Sequence, residues 1–115
     1  MKTGFFAYSS EPKYCGEAIE DAIKKINDSF KGITQIQSWT SLQISGKLII
    51  SEILKEIDSC DYFCADLTEL NDNVLFELGY AIAQKKTIWL LIDKSNIKSN
   101  KRFKELNFLL LLSSQ

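Results

Sequence analysis

The chain has 115 residues, 45% of them hydrophobic and 25% charged, with one Pro and five Gly, which describes a single folded domain over residues 1–115 and excludes disordered, collagenous and low-complexity classes. Fourteen basic against fifteen acidic residues give a formal charge of -1, so no global field favours nucleic acid or an anionic membrane. Histidine is absent, which removes Ser-His-Asp and Cys-His nucleophile systems and imidazole metal sites; no metal is expected, and chemistry has to rest on carboxylates, hydroxyls, amides, lysines or a thiolate.

Gly4 to Tyr8 is a short apolar run ending in Ser9-Ser10-Glu11-Pro12, a buried strand entering a loop. From Glu17 to Phe30 the residues Ala18, Ile19, Ala22, Ile23, Ile26 and Phe30 recur at three- and four-residue intervals, as on an amphipathic helix, and Gly32 suits its C-terminal cap. Ile33 to Trp39 alternates apolar and polar residues as a second strand, and Thr40 to Gly46 is a loop. Leu48 to Ile57 carries a broad apolar stripe and predicts a second helix. Tyr62 to Asp66 is a third strand, and Asn71 or Asp72 can cap a third helix running through Ile82 and ending at Lys85-Lys86. Thr87 to Ile92 is almost continuously apolar, as expected of a central parallel strand covered on both faces, and Asp93 closes it. The apolar end Leu109 to Leu112 reads as a last strand close to the end of the chain, compatible with a longer natural protein, and a sensor domain, fused or separate, is an expected partner. Alternating strands and helices with short connections imply a three-layer, flavodoxin-like α/β fold, an open parallel sheet with helices on both faces.

The three cysteines, Cys15, Cys60 and Cys64, are an odd number behind a start that leads straight into a strand, which fits a reducing cytoplasm and buried free thiols better than a zinc set. No apolar stretch approaches the ~20 residues of a membrane helix. The run Lys94, Lys98, Lys101, Arg102 and Lys104 is read as a solvated surface.

In an open parallel sheet, ligands bind beyond the carboxyl ends of the strands, so the residues after each strand are the site candidates. The segment from Asp66 to Ala81 is richest: polar groups precede a helix whose second turn holds a lone carboxylate, Glu77, among Val74, Leu75, Phe76, Leu78 and Ala81. An ionised carboxylate in such surroundings is costly unless it has partners or a task. Gly79 beside it would let a ligand or a neighbouring backbone approach.

The stretch Cys60 to Asp66, followed by Asn71-Asp72-Asn73-Val74-Leu75-Phe76-Glu77-Leu78-Gly79-Tyr80-Ala81, resembles the nucleoside 2-deoxyribosyltransferase family and the bacterial Toll/interleukin-1 receptor (TIR) domains related to it. Phe5 to Ser10 resembles the first TIR box, a strand ending in aromatic-serine. The resemblance implies that Glu77 is a catalytic carboxylate acting at an anomeric carbon, in deoxyribosyl transfer or in cleavage of the nicotinamide-ribose bond of NAD. Two positions depart from the pattern. Many TIR enzymes carry tryptophan where this chain has Asn73, and the transferases carry aspartate where it has Asn71. The opening Tyr8-Ser9-Ser10 and the loop from Trp39 to Ile49 favour the TIR side.

NAD glycohydrolysis is accordingly the leading expectation, with NAD as substrate, no cofactor, and prokaryotic defence or toxicity as the setting. Nucleoside or nucleotide 2-deoxyribosyl transfer or N-glycosidase activity, and a non-enzymatic TIR-like adaptor, remain open as alternatives. Phe6 or Tyr8 would stack on the nicotinamide, and Ser9 and Ser10 would bind ribose or phosphate. Asn73 would hold the ribose or orient Glu77, with Asp66 and Trp39 at the site edge. Self-association is expected to complete the site through the loop that holds Leu42, Ile44 and Gly46.

Overall fold

The computed structural model describes residues 1–11, 13–44, 47–48 and 50–93; of residues 41–44, 47 and 48 the backbone alone is described. In chain order the elements are β1 (Lys2–Ala7), α1 (Lys13–Ser29), β2 (Thr34–Ser38), a 3-10 turn (Trp39–Leu42), β3 (Gln43–Ile44), β4 (Lys47–Leu48), α2 (Ile50–Ser59), β5 (Tyr62–Asp66), α3 (Asp72–Ala83) and β6 (Thr87–Leu91). The main sheet has the order β2-β1-β5-β6 and every pairing in it is parallel. The chain moves outward from β1 to β2 and then crosses back to β5 on the other side of β1. That reversal between β1 and β5 is where such sheets open a crevice at their carboxyl edge.

Two residues of β1 and two of β5 build the inner face under α2 and α3. Phe5, Ala7, Phe63 and Ala65 are fully buried there with Ile53 and Ile57 of α2 and Val74, Leu78 and Ala81 of α3. The Phe5 and Phe63 rings stack with centroids 6.2 Å apart. Each large side chain so buried contributes about 1.5–3 kcal/mol, which makes this layer the main source of stability. Asp61, just ahead of β5, accepts a hydrogen bond from the Thr3 amide at 2.8 Å and ties the starts of the two strands together.

The other face belongs to α1, and here the structure corrects the expected stripe. Ala18 and Ala22 are exposed, and Ile26 and Phe30 are 36% and 49% exposed. Ile23 of that stripe is buried and Ile19 half-buried, as expected, and Gly16, Glu20, Ile23 and Asn27 form a helical stripe turned toward the sheet. Gly16 lies under the Tyr8 ring, where a Cβ would approach to 3.2 Å. Asn27 clamps the outer edge of β2, its Nδ2 donating to the Ile36 carbonyl at 2.9 Å and its Oδ1 accepting from the Ile36 amide at 2.8 Å. The face is polar because hydroxyls and amides there have partners on the helix, so periodicity of apolar residues does not find it.

Three other expectations change. The segment from Thr40 to Gly46 holds the 3-10 turn and one strand of the antiparallel pair β3–β4, so α2 starts at Ile50 and Leu48 belongs to a strand. The helix expected from Glu17 begins at Lys13. Finally, β6 lies at the edge of the described sheet, with Trp89 61% and Leu91 49% exposed; the central strands are β1 and β5. The basic run from Lys94 and the apolar run from Leu109 to Leu112 lie outside the described residues, and no described helix is long and apolar enough to cross a membrane.

Candidate functional site

The segment after β5 is pinned before it reaches the cleft. Asp66 Oδ1 accepts from the Thr68 amide at 3.0 Å and from its hydroxyl at 2.6 Å, and Thr68 Oγ1 accepts from the Asp93 amide at 2.8 Å. Leu67 and Leu70 are each 1% exposed and anchor the turn in the core. Leu70 is held at φ 47°, a left-handed conformation that a non-glycine residue adopts at a cost of about 1–3 kcal/mol. Its burial fixes the direction in which the chain enters α3. Asn71 then caps that helix, its side-chain oxygen accepting from the amides of Asn73 at 2.9 Å and Val74 at 3.3 Å.

This entry places Glu77, on the second turn of α3, at the carboxyl edge of β1 and β5. A cavity of about 100 Å³ opens there, lined by Tyr8, Ser10, Trp39, Asn71, Asn73 and Glu77. A second, apolar cavity of about 180 Å³ adjoins it between the first turns of α2 and α3, lined by Ile50, Ile53, Leu54, Asn73, Phe76 and Glu77. Glu77 and Asn73 border both. Larger depressions exist, such as the groove of about 470 Å³ between α1 and β2. Among the described residues, however, the buried side-chain oxygen without a hydrogen-bond partner is Glu77 Oε2.

Glu77 is 8% exposed, and its burial pushes the carboxyl up to about 7. Removing a carboxylate from water disfavours the charged form, and among the described residues no amide, hydroxyl or lysine restores it at Oε2. Tyr8 is raised as well, but its polar end has a partner. Its burial, its hydrogen bond to Glu20 and the nearby negative charge all raise the phenol, which stays protonated with its hydroxyl donating to Glu20 Oε1 at 2.6 Å. The Tyr8 ring therefore offers a face to the cleft while its polar end is engaged elsewhere. Trp39 lies against it, with ring centroids 5.7 Å apart and planes tilted by 46°.

The structure brings Tyr8, Ser10, Trp39, Asn73 and Glu77 of the expected site residues to one cleft. Phe6 is half-buried and meets the edge of Tyr8 at 6.3 Å without lining the cavity. The Ser9 hydroxyl donates to the Glu11 carbonyl at 2.7 Å, and Asp66 is engaged with Thr68, so both shape loops. Phe76, expected to be covered, is 57% exposed and walls the apolar cavity. Gly79 faces open space, where a Cβ would meet nothing within 4 Å, so it makes no room for a ligand. The side chains of Leu42 and Ile44, and Gly46 altogether, lie outside the described residues. Burial pushes the Cys64 thiol up to about 11 and raises that of Cys60, which leaves neither as a thiolate nucleophile.

Two contributors were not foreseen. Asn71 was legible as a cap, but its place on the cleft wall follows from the turn at Leu70. Glu20 was legible only as an acidic residue early on α1; its position three residues before Ile23 and seven before Asn27 is the signal that it faces inward.

No protein-family model matches the chain, and no curated protein does. Solved structures share its fold. A 2-desoxiribosyltransferase from Leishmania mexicana superposes with a TM-score of 0.66 at 24% identity, over 80% of this chain and 65% of that one. The CMP N-glycosidase BcmB of Clostridium botulinum gives 0.61 at 23% identity, over 79% and 71%. The TIR domains of the activated Roq1 resistosome give 0.62 at 17% identity, over 96% and 74%. The chain thus spans just under two thirds of the first of these proteins. At such identities what is shared is the fold, a flavodoxin-like α/β sheet found both in enzymes of N-glycosidic bonds and in TIR domains.

Proposed function

We propose that this chain hydrolyses the bond between nicotinamide and ribose in NAD, with Glu77 as the catalytic carboxylate. The observation that carries this reading is the solitude of Glu77. Among the described residues lining the cleft no second acid or base accompanies it, and the Tyr8 hydroxyl is bound to Glu20. Expelling a neutral base requires a proton on the leaving group. Nicotinamide in NAD is already a cation and leaves without one.

In that reaction the C1′–N bond breaks and its electron pair goes to the pyridine nitrogen, releasing neutral nicotinamide. The ribose becomes an oxocarbenium ion, which a nearby carboxylate stabilises. Water adds at C1′, and its proton passes to Glu77 and on to solvent. A carboxyl lifted to about 7 suits both tasks: the cationic substrate supplies the opposite charge that ionises it, and its basicity near neutrality suits proton acceptance. Asn73, on the border of both cavities, would hold the ribose, and the Tyr8–Trp39 pair would flank the base.

A cavity of about 100 Å³ is far below the ~300–1,000 Å³ of ordinary ligand sites. The dinucleotide would therefore extend over an open edge, covered by the segment from Trp39 to Gly46 and by a second copy of the chain. Clustering would switch the enzyme, as suits a defence or toxicity role in a reducing cytoplasm. A second reading is supported by a different observation: no lysine or arginine lines either cavity among the described residues, which fits an uncharged nucleoside. Deoxyribosyl transfer or N-glycosidase action on a nucleoside would use the same carboxylate.

Incubating concentrated protein separately with NAD, CMP and a deoxynucleoside plus acceptor base, followed by product chromatography, separates these readings. Nicotinamide release supports the first. Cytosine release or base exchange without NAD cleavage would replace it with the second. No product from any substrate, in protein shown to self-associate, would leave only the adaptor reading.

A further inference from the structure

We propose that Glu20 is a positioning residue for the cleft: from outside it, one carboxylate oxygen sets the Tyr8–Trp39 aromatic wall that faces Glu77. Glu20 lies on α1 and lines neither cavity beside Glu77. Its Oε1 accepts from the Tyr8 hydroxyl at 2.6 Å, from the Thr40 hydroxyl at 3.1 Å and from the Ser38 hydroxyl. The Ser38 and Thr40 hydroxyl oxygens lie 2.8 Å apart; each has a single proton, directed at Glu20, so they crowd together around the acceptor they share.

The positions of these donors give the network its meaning. Ser38 and Thr40 flank Trp39, so the backbone on both sides of the tryptophan is tied to the same atom. Tyr8 is the first residue beyond β1, so the third donor ties the aromatic partner of Trp39 to that atom as well. Three hydroxyls from the ends of two neighbouring strands converge on one acceptor, and the two rings between them meet at 5.7 Å. A carboxylate only accepts, so every donor has to point toward it, which fixes the Tyr8 ring plane and the start of the 3-10 turn together. Gly16, one turn earlier on α1, leaves room for the Tyr8 ring to reach Glu20. What Glu20 supplies to the three hydroxyls is a common direction.

The proposal rests on the proposed function only where turnover is measured. The test uses Glu20→Ala and Glu20→Gln in a Trp89→Phe background, where Trp39 is the remaining tryptophan. Acrylamide quenching of Trp39, thermal midpoint, and KM and kcat for NAD are measured on each. Glu20→Ala should raise the quenching constant of Trp39 several-fold and KM by roughly tenfold with kcat within about threefold, because the wall binds and orients but does not react. Glu20→Gln, which keeps an acceptor oxygen, should recover most of both effects. Should Glu20→Ala fail to fold, the double variant Ser38→Ala with Thr40→Val removes two of the donors while leaving the charge. Unchanged quenching and KM in a folded Glu20→Ala protein, or losses that follow the thermal midpoint alone and are not recovered by Glu20→Gln, would overturn the proposal. If the chain turns over no nucleotide, the quenching arm decides by itself: an altered Trp39 upholds the positioning role while the NAD reading falls, and an unaltered one removes it.

Discussion

Glu20 is half-buried and Glu77 buried at the same end of the sheet, and Tyr8 reaches both of their surroundings, yet the protein treats the two carboxylates in opposite ways. Glu20 accepts three hydroxyls at one oxygen and is bound into the fold. Glu77 is more deeply buried and has an oxygen with no partner among the described residues, which leave its charge unsupported. An acid whose oxygen is met by hydroxyl donors organises structure. One whose ionisation is left to be completed from outside is poised for a ligand, and a positively charged reacting centre is the complement it lacks.

Removing the charge of Glu77 should give the largest effect and breaks the comparison most directly. Glu77→Gln keeps the shape and should lower turnover by roughly 100- to 1,000-fold or more, as loss of a preorganised electrostatic contact does. Turnover is to be compared in samples shown by circular dichroism to be folded. The same change should affect stability in the other direction. The Glu77 carboxyl is raised in the folded state, from an ordinary 4.5 to about 7, so the folded protein binds more protons than the unfolded chain between those values. Stability from this group is therefore full below the lower value and lost as pH rises through the upper one. Urea unfolding across that window should show the glutamine variant gaining on the wild type by on the order of 3 kcal/mol.

The entry to α3 sharpens the contrast at smaller cost. Asn71→Ala removes the cap and should destabilise the protein by about 1 kcal/mol, with a further loss of activity because the first turn carries Asn73 and leads into the turn that holds Glu77. The smallest effect is expected at Gly79. Its surroundings are open, so Gly79→Ala should stabilise α3 by about 0.5–1 kcal/mol and leave turnover unchanged. A fall in turnover there would show that the cleft extends farther along the helix than the structure places it.

How much of this was legible in the sequence follows from where the information is stored. β5 coincides with the expected Tyr62 to Asp66, and Asn71 caps α3, because an apolar run flanked by turn residues and an Asn before a helical period are local signals. Glu77 stood out for the same reason, as a charge on an apolar stripe. The rest depends on distant partners. Glu20 looks like a solvent-facing acid until the hydroxyls of Tyr8, Ser38 and Thr40 are brought to it, and the inward stripe of α1 is mostly polar. The β3–β4 pair has no apolar alternation of its own to announce it, and the edge position of β6 is a property of strand order that an apolar run cannot encode. The cleft itself is assembled from three separate loops, and only the parallel register of β1, β2 and β5 makes them neighbours.

The central claim is that the unsupported carboxylate of Glu77 does the chemistry. Its most direct test is the rate of nicotinamide release from NAD by wild-type and Glu77→Gln protein at matched, self-associating concentrations near neutral pH. Release by the wild type, reduced to background in a folded glutamine variant, is the predicted result. Equal rates in the two proteins would contradict the account.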